Sequence, residues 1–135
     1  MAEIMDFLLE QWIFSGTLVA LIALLIYGER PKKYQLVDTN GAVTLMDDDN
    51  LIILDVRDDK ERKTGFINAD THIPVAKVRG KLDSLDKSKK ILTYCKSGSR
   101  STITAELLCK NQFENVYSLQ GGFDAWQKAG LPINK

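Results

Sequence analysis

The chain of 135 residues contains few of the residues that build several common kinds of site. Its two cysteines, Cys95 and Cys109, are too few for a disulfide framework, which favours a reducing compartment with at least one working thiol. One histidine and two widely separated cysteines form no zinc-ligand pattern, so we expect no metal and no cofactor. Eighteen basic and eighteen acidic side chains cancel, and this balance gives no reason to expect nucleic acid as a partner.

A long apolar run lies near the N-terminus, where Trp12 to Tyr27 read WIFSGTLVALIALLIY without a charge. Extended back to Phe7, a helix over residues 7–27 is about 31 Å long, enough for a hydrocarbon core of roughly 30 Å. A helix that is apolar on every side is rare in the core of so small a protein. We therefore predict that residues 1–28 are a single-pass membrane anchor.

The charges that flank this span predict its orientation. No Lys or Arg precedes it, whereas three basic residues follow it in the charged segment 29–34, which we interpret as a linker. Basic residues stay preferentially on the cytoplasmic side, so the C-terminal domain should face the cytoplasm from the inner (cytoplasmic) membrane.

The remaining domain, residues 35–135, alternates between strand-like and helix-like patterns. The strand-like runs are YQLVD, LIILDVR, KILTYC and NVYSLQ, and the clearest helical pattern is RSTITAELLCKNQ. A shorter helical turn follows the first strand, and Thr39 is a candidate for its cap. Strands separated by helices predict an α/β fold with a parallel sheet flanked by helices, whose site lies at the carboxyl ends of the strands.

Cys95 ends one of these strands and leads into a short loop before the helix that begins near Ser99. The start of that helix carries partial positive charge and N–H groups without intrahelical partners. Gly98 allows the loop to curl into an anion nest, and Lys96 and Arg100 add formal positive charge. These features favour a thiolate, which we expect to be partly exposed and nucleophilic. The alternative is a buried structural cysteine.

Three motifs in order resemble the single-domain rhodanese family of sulfurtransferases, in a bacterial, membrane-anchored form. They are LDVRDDKERKTGFINADTHIP, the active-site loop YCKSGSRS and the closing GGFDAWQKAGLPI. The resemblance implies the rhodanese fold, a persulfide on Cys95, and Asp55 and Arg57 as a structural pair near the site. The anion-binding loop that it implies is Lys96, Ser97, Gly98, Ser99 and Arg100. Four residues between Cys and Arg are typical of sulfurtransferases, and five of the related phosphatases.

Five residues, at three places, depart from the family pattern. Phe66 stands where a histidine is usual, Arg62 where an aromatic residue is usual, and residues 68–70 (NAD) replace Pro-Gly-Ala. The departures leave the Cys95 loop intact and affect donor choice and local packing. His72 and Cys109 are interpreted as structural residues.

The sequence thus predicts a sulfurtransferase that moves sulfane sulfur from thiosulfate or a persulfide to a thiol or cyanide. The expected partners are small sulfur donors and thiol acceptors. A second hypothesis stays open: a tethered rhodanese-fold module with little turnover that binds a membrane protein.

Overall fold

A computed structural model describes residues 1–28 and 34–135, which form two compact units. The first unit is a single helix, α1 (Ala2–Gly28), none of whose residues is buried. By length and composition α1 is able to cross a membrane. The basic residues of the predicted linker 29–34 lie outside the described residues, so the linker stays a prediction.

The second unit contains one sheet, whose strands are β1 (Gln35–Val37), β2 (Leu51–Asp55), β3 (Thr71–His72), β4 (Lys90–Tyr94) and β5 (Val116–Leu119). Within residues 34–135 these strands lie in the order β1-β5-β4-β2-β3, and every pairing between them is parallel. The predicted parallel α/β fold is confirmed. The short edge strand β3 was not predicted, because two residues give no periodic signal.

Helices cover both faces of the sheet. They are α2 (Thr39–Met46), α3 (Asp59–Arg62), a 3₁₀ helix (Val75–Ser84), α4 (Ser99–Lys110) and α5 (Gly122–Lys128). The side chain of Asp38, rather than Thr39, caps α2 by accepting a hydrogen bond from the N–H of Gly41. The suggestion that Thr39 caps this helix was therefore wrong by one position.

Side-chain alternation along β4 assigns the two faces. Ile91 and Cys95 belong to a core cluster that includes Val78 of the 3₁₀ helix and Leu108 of α4. Leu92 and Tyr94 point to the opposite cluster, which includes Ala42 of α2 together with Phe123 and Trp126 of α5. The loop after β4 therefore lies at the carboxyl edge of the sheet, between α4 on one face and α5 on the other.

Candidate active site

Cys95 follows the last residue of β4 and is completely buried. Its Sγ accepts a hydrogen bond from the N–H of Gly98 at 3.0 Å and lies 3.7 Å from Ser101 Oγ, to which the thiol donates. The expectation of a partly exposed thiol was wrong. The loop folds back over Sγ, and the side chain packs within the core cluster on the α4 face.

The turn of the loop depends on Gly98 and on a pair of buried serines. Gly98 has φ +108°, a conformation that side chains rarely adopt, and it stands immediately before α4. Ser101 Oγ donates to the carbonyl of Gly98 at 3.0 Å and lies 2.9 Å from Ser118 Oγ on β5. Because the Ser101 proton is directed at this carbonyl, Ser118 is the donor between the two hydroxyls.

The start of α5 holds the other side of the loop. The N–H of Phe123 donates to the carbonyl of Cys95 at 2.7 Å, and that of Asp124 donates to the carbonyl of Lys96 at 3.0 Å. Gly122 makes this contact possible, because a Cβ there would lie 2.4 Å from the oxygen of Cys95. The closing sequence motif therefore fixes the backbone of the loop that begins at Cys95.

Arg100, the last residue of the predicted anion-binding loop, forms a two-point ion pair with Glu61 of α3. Its Nη1 and Nη2 donate to the two carboxylate oxygens at 2.6 Å and 2.7 Å. Arg100 lowers the pKa of Glu61, and Glu61 raises the pKa of Arg100, so both groups are charged at neutral pH. The expected positive charge of Arg100 is present, but it is paired.

Below the loop, Asp55 and Arg57 form a buried ion pair with Nε to Oδ1 at 3.0 Å. The guanidinium of Arg57 also donates to the carbonyl of Gly65 at 2.7 Å and lies 4.2 Å from the ring centre of Phe123. Asp55 pairs in register with Tyr94, the residue before Cys95. The pair thus supports both β4 and the start of α5 from beneath, and no contact with the Cys95 thiol is seen for either residue.

Three of the residues that depart from the family pattern, Arg62, Phe66 and Asp70, lie in one cluster. Arg62 makes a two-point ion pair with Asp70 at 2.7 Å and 2.8 Å, and its guanidinium lies 4.1 Å from the ring centre of Phe66. The hydroxyl of Tyr94 also donates to Asp70, and burial raises the pKa of that hydroxyl. Arg62 therefore contacts both of the other departures, Phe66 and Asp70.

The other candidate residues have structural contacts. His72 Nε2 lies 2.7 Å from the carbonyl of Arg57, which requires the proton on Nε2. Cys109 is partly buried against the same core cluster as Cys95. Among residues 1–28 and 34–135, no three His, Cys, Asp or Glu side chains are grouped to hold a metal ion.

Sequence reasoning missed the residues that hold the loop from a distance, namely Glu61, Ser101, Ser118, Gly122 and Phe123. Glu61 lies in the acidic turn of the first motif and Gly122 in the closing motif, so both were within recognised patterns. Their contacts with the loop span 39 residues for Glu61 and are set by the sheet order, which local periodicity does not report.

Comparison with known proteins agrees with this fold. The family profile "Rhodanese-like domain" matches residues 38–129. Thiosulfate sulfurtransferase GlpE of Actinobacillus pleuropneumoniae is 29% identical over 97 residues, which cover 72% of this chain and 90% of the relative. The putative sulfurtransferase YtwF of Bacillus subtilis is 34% identical over 87 residues, which cover 64% of this chain and 84% of the relative. A crystal structure of a rhodanese-related protein from Thermoplasma volcanium superposes with a TM-score of 0.69 at 26% identity, covering 75% of this chain and 98% of that one.

Proposed function

The chain belongs to the family of rhodanese-like domains, and we propose that it is a membrane-anchored sulfurtransferase whose Cys95 carries sulfur as a persulfide. The single observation that carries this proposal is the hydrogen bond from the Gly98 N–H to Cys95 Sγ at 3.0 Å. A backbone N–H aimed at the sulfur stabilises the thiolate before reaction and a persulfide anion after it.

Two half-reactions follow from a thiolate at this position. The Cys95 thiolate attacks the outer sulfur of thiosulfate, a new S–S bond forms, and sulfite leaves with the electron pair of the broken S–S bond. With a persulfide donor the same attack releases the donor's thiolate. Cyanide or an acceptor thiolate then takes the outer sulfur, as thiocyanate or a new persulfide, and the Cys95 thiolate is regenerated.

The loop residues have distinct roles in this proposal. Gly98 donates to the sulfur, Arg100 supplies charge, and the exposed residues Lys96, Ser97 and Ser99 form the rim over the buried thiol. Because Cys95 has no exposed surface, this rim moves before a donor sulfur reaches Sγ. Asp55 and Arg57 position the loop from below.

We also propose that residues 1–28 anchor the chain, that 29–34 are a linker and that 35–135 are the sulfurtransferase domain on the cytoplasmic side of the inner membrane. The support is the length and apolar composition of α1 and the basic residues of segment 29–34. We expect the chain to stay in the membrane pellet after alkaline carbonate extraction. The C-terminal domain, up to Lys135, should be protected from protease that is added to intact spheroplasts. Cleavage of the C-terminal domain by external protease would show the opposite orientation.

The activity is tested by intact-mass measurement of the full chain in mild detergent after incubation with thiosulfate or with glutathione persulfide. The expected product is the protein plus one sulfur atom, discharged by cyanide with release of thiocyanate. Cys95→Ser should give no adduct, and the matched control Cys109→Ser should give the wild-type adduct. An adduct that survives in Cys95→Ser would place the sulfur elsewhere.

Burial of Cys95 favours a second candidate function, a tethered module that binds a membrane protein with little turnover. In that case neither donor would add sulfur to the wild-type chain. A cellular effect would then be lost on deletion of residues 1–28 and retained in Cys95→Ser.

A further inference from the structure

The carboxylate of Glu61 lies against the guanidinium of Arg100, so the positive charge of Arg100 is paired with a negative charge. The guanidinium fork faces the carboxylate with both Nη atoms, the geometry in which arginine also binds oxyanions. A donor oxyanion that approaches Arg100 therefore competes with Glu61 for the same two N–H groups.

Two features hold Glu61 in this position. The backbone N–H of Glu61 donates to the carboxylate of Asp58, which caps α3 at 2.8 Å. The side chains of Arg100 and Glu61 are only 32% and 24% exposed, so neither swings freely in solvent. Asp58 adds further negative charge, because its field contributes to the raised pKa of Arg100.

The rim of the site is therefore close to neutral near Arg100 instead of strongly positive. A dianionic donor such as thiosulfate must displace Glu61 or accept its repulsion. A persulfide has no oxyanion next to its transferable sulfur, and its leaving group is a thiolate, so it has no need of the guanidinium fork.

We propose that Glu61 determines donor specificity by acting through Arg100, and that it makes the site favour persulfide donors over thiosulfate. This inference rests on the proposed sulfurtransferase function. Glu61 is a positioning residue, because it acts on the donor through its contact with Arg100.

The size of the effect follows from charge alone. At a separation of about 6 Å in a largely aqueous setting, repulsion between one carboxylate and a dianion corresponds to roughly a tenfold change in binding. Glu61→Gln keeps the side-chain length and removes the charge. It should raise the efficiency of Cys95 loading by thiosulfate about tenfold, mainly through a lower KM.

The experiment measures single-turnover loading of Cys95 in the full chain, in mild detergent, against the concentrations of thiosulfate and of glutathione persulfide. Wild type should load faster from the persulfide, and Glu61→Gln should raise the thiosulfate-to-persulfide ratio about tenfold. The matched control is Glu106→Gln, an exposed glutamate of α4 whose loss gives the same change in net charge. It should leave the ratio unchanged. Equal loss with both donors in Glu61→Gln would mean a purely structural role and would overturn the inference.

A binding measurement separates this inference from the proposed function, because it needs no sulfur transfer. Calorimetric titration with sulfite should show about tenfold tighter binding to Glu61→Gln than to wild type. In an Arg100→Gln background the gain from the same substitution should be smaller, because direct repulsion by the carboxylate remains while competition for the guanidinium is lost. An equal gain in both backgrounds would refute action through Arg100. If sulfite binds the wild type and Glu61→Gln with equal affinity, competition at Arg100 is refuted. If sulfite binding changes as expected but no donor loads wild-type Cys95, the competition stands and the sulfurtransferase proposal fails.

Discussion

Replacing Gly122 with alanine should detach α5 from the loop that carries Cys95. Gly122 has φ +60°, and an added Cβ would lie 2.4 Å from the carbonyl oxygen of Cys95 and 2.6 Å from that of Lys96. Both neighbours are backbone atoms, which do not rotate away as the end of a long side chain would. The loop and the start of α5 must therefore separate.

The cost has two parts. A left-handed conformation costs a residue with a Cβ roughly 1–2 kcal/mol. Separation also weakens the hydrogen bonds from the N–H groups of Phe123 and Asp124 to the loop, each contributing roughly 0.5–1.5 kcal/mol. Together, Gly122→Ala should lower the free energy of unfolding by about 2–5 kcal/mol.

Gly130 offers a matched control for the backbone part alone. It has φ +72°, but a Cβ there would meet nothing within 4 Å, so Gly130→Ala should cost only the roughly 1–2 kcal/mol of its conformation. Urea unfolding of the full chain in detergent, followed by Trp126 fluorescence in a Trp12→Phe background, measures both. Gly122→Ala should also load sulfur on Cys95 more slowly, whereas Gly130→Ala should not. Equal destabilisation by the two substitutions would refute the close contact between Gly122 and the loop.

Two other features of the site give predictions that unfolding measurements check. Arg62→Met leaves the buried carboxylate of Asp70 without its main partner and should lower the free energy of unfolding by about 3–5 kcal/mol. Adding Asp70→Asn should recover part of that loss, with a coupling energy of roughly 0.5–3 kcal/mol between the two sites. Additive losses would show that the two side chains do not interact. Because Arg100 lowers the pKa of Glu61 below its ordinary value, the stability that this pair adds is complete at neutral pH and is lost as the pH falls below about 4.3, through the lowered folded-state pKa. Glu61→Gln should therefore lose less stability than wild type between neutral and acidic pH, and identical acid dependence would contradict the pairing.

The three sequence motifs meet at one place for a physical reason. In a parallel sheet the carboxyl ends of adjacent strands lie at one edge, so the ends of β2 and β4 bring Asp55 next to Tyr94. The loop after β5 leads into α5, whose first N–H groups reach the carbonyl of Cys95. Each motif contributes a separate part of the site: a buried ion pair, the thiol and its loop, and a backbone clamp.

The long apolar N-terminal helix and the position of the thiol could be predicted from the sequence because both depend on local patterns. An uncharged run of sufficient length identifies a candidate span whatever surrounds it, and α1 includes the whole of the predicted span 7–27. Apolar runs of strand length followed by a helical period located Cys95 between β4 and α4. Gly98 before the helix indicated the turn, and its φ of +108° agrees.

The burial of Cys95 and the pairing of Arg100 could not be predicted, because both depend on residues far away in the chain. The small and basic residues beside Cys95 indicate an exposed thiol. The loop nevertheless covers Sγ, because Ser101, Ser118 and the N–H groups at the start of α5 hold its backbone in place. Likewise Arg62, Phe66 and Asp70 are three unrelated departures in the sequence and one cluster in space.

The sequence by itself therefore determined that the chain has an apolar N-terminal helix, an α/β domain and a cysteine at the start of the loop between a buried strand and a helix. Only the tertiary structure decided that the thiol is covered and that Glu61 neutralises Arg100. The physical reason is that periodicity and loop chemistry act over a few residues, whereas burial and ion pairing depend on which strands become neighbours.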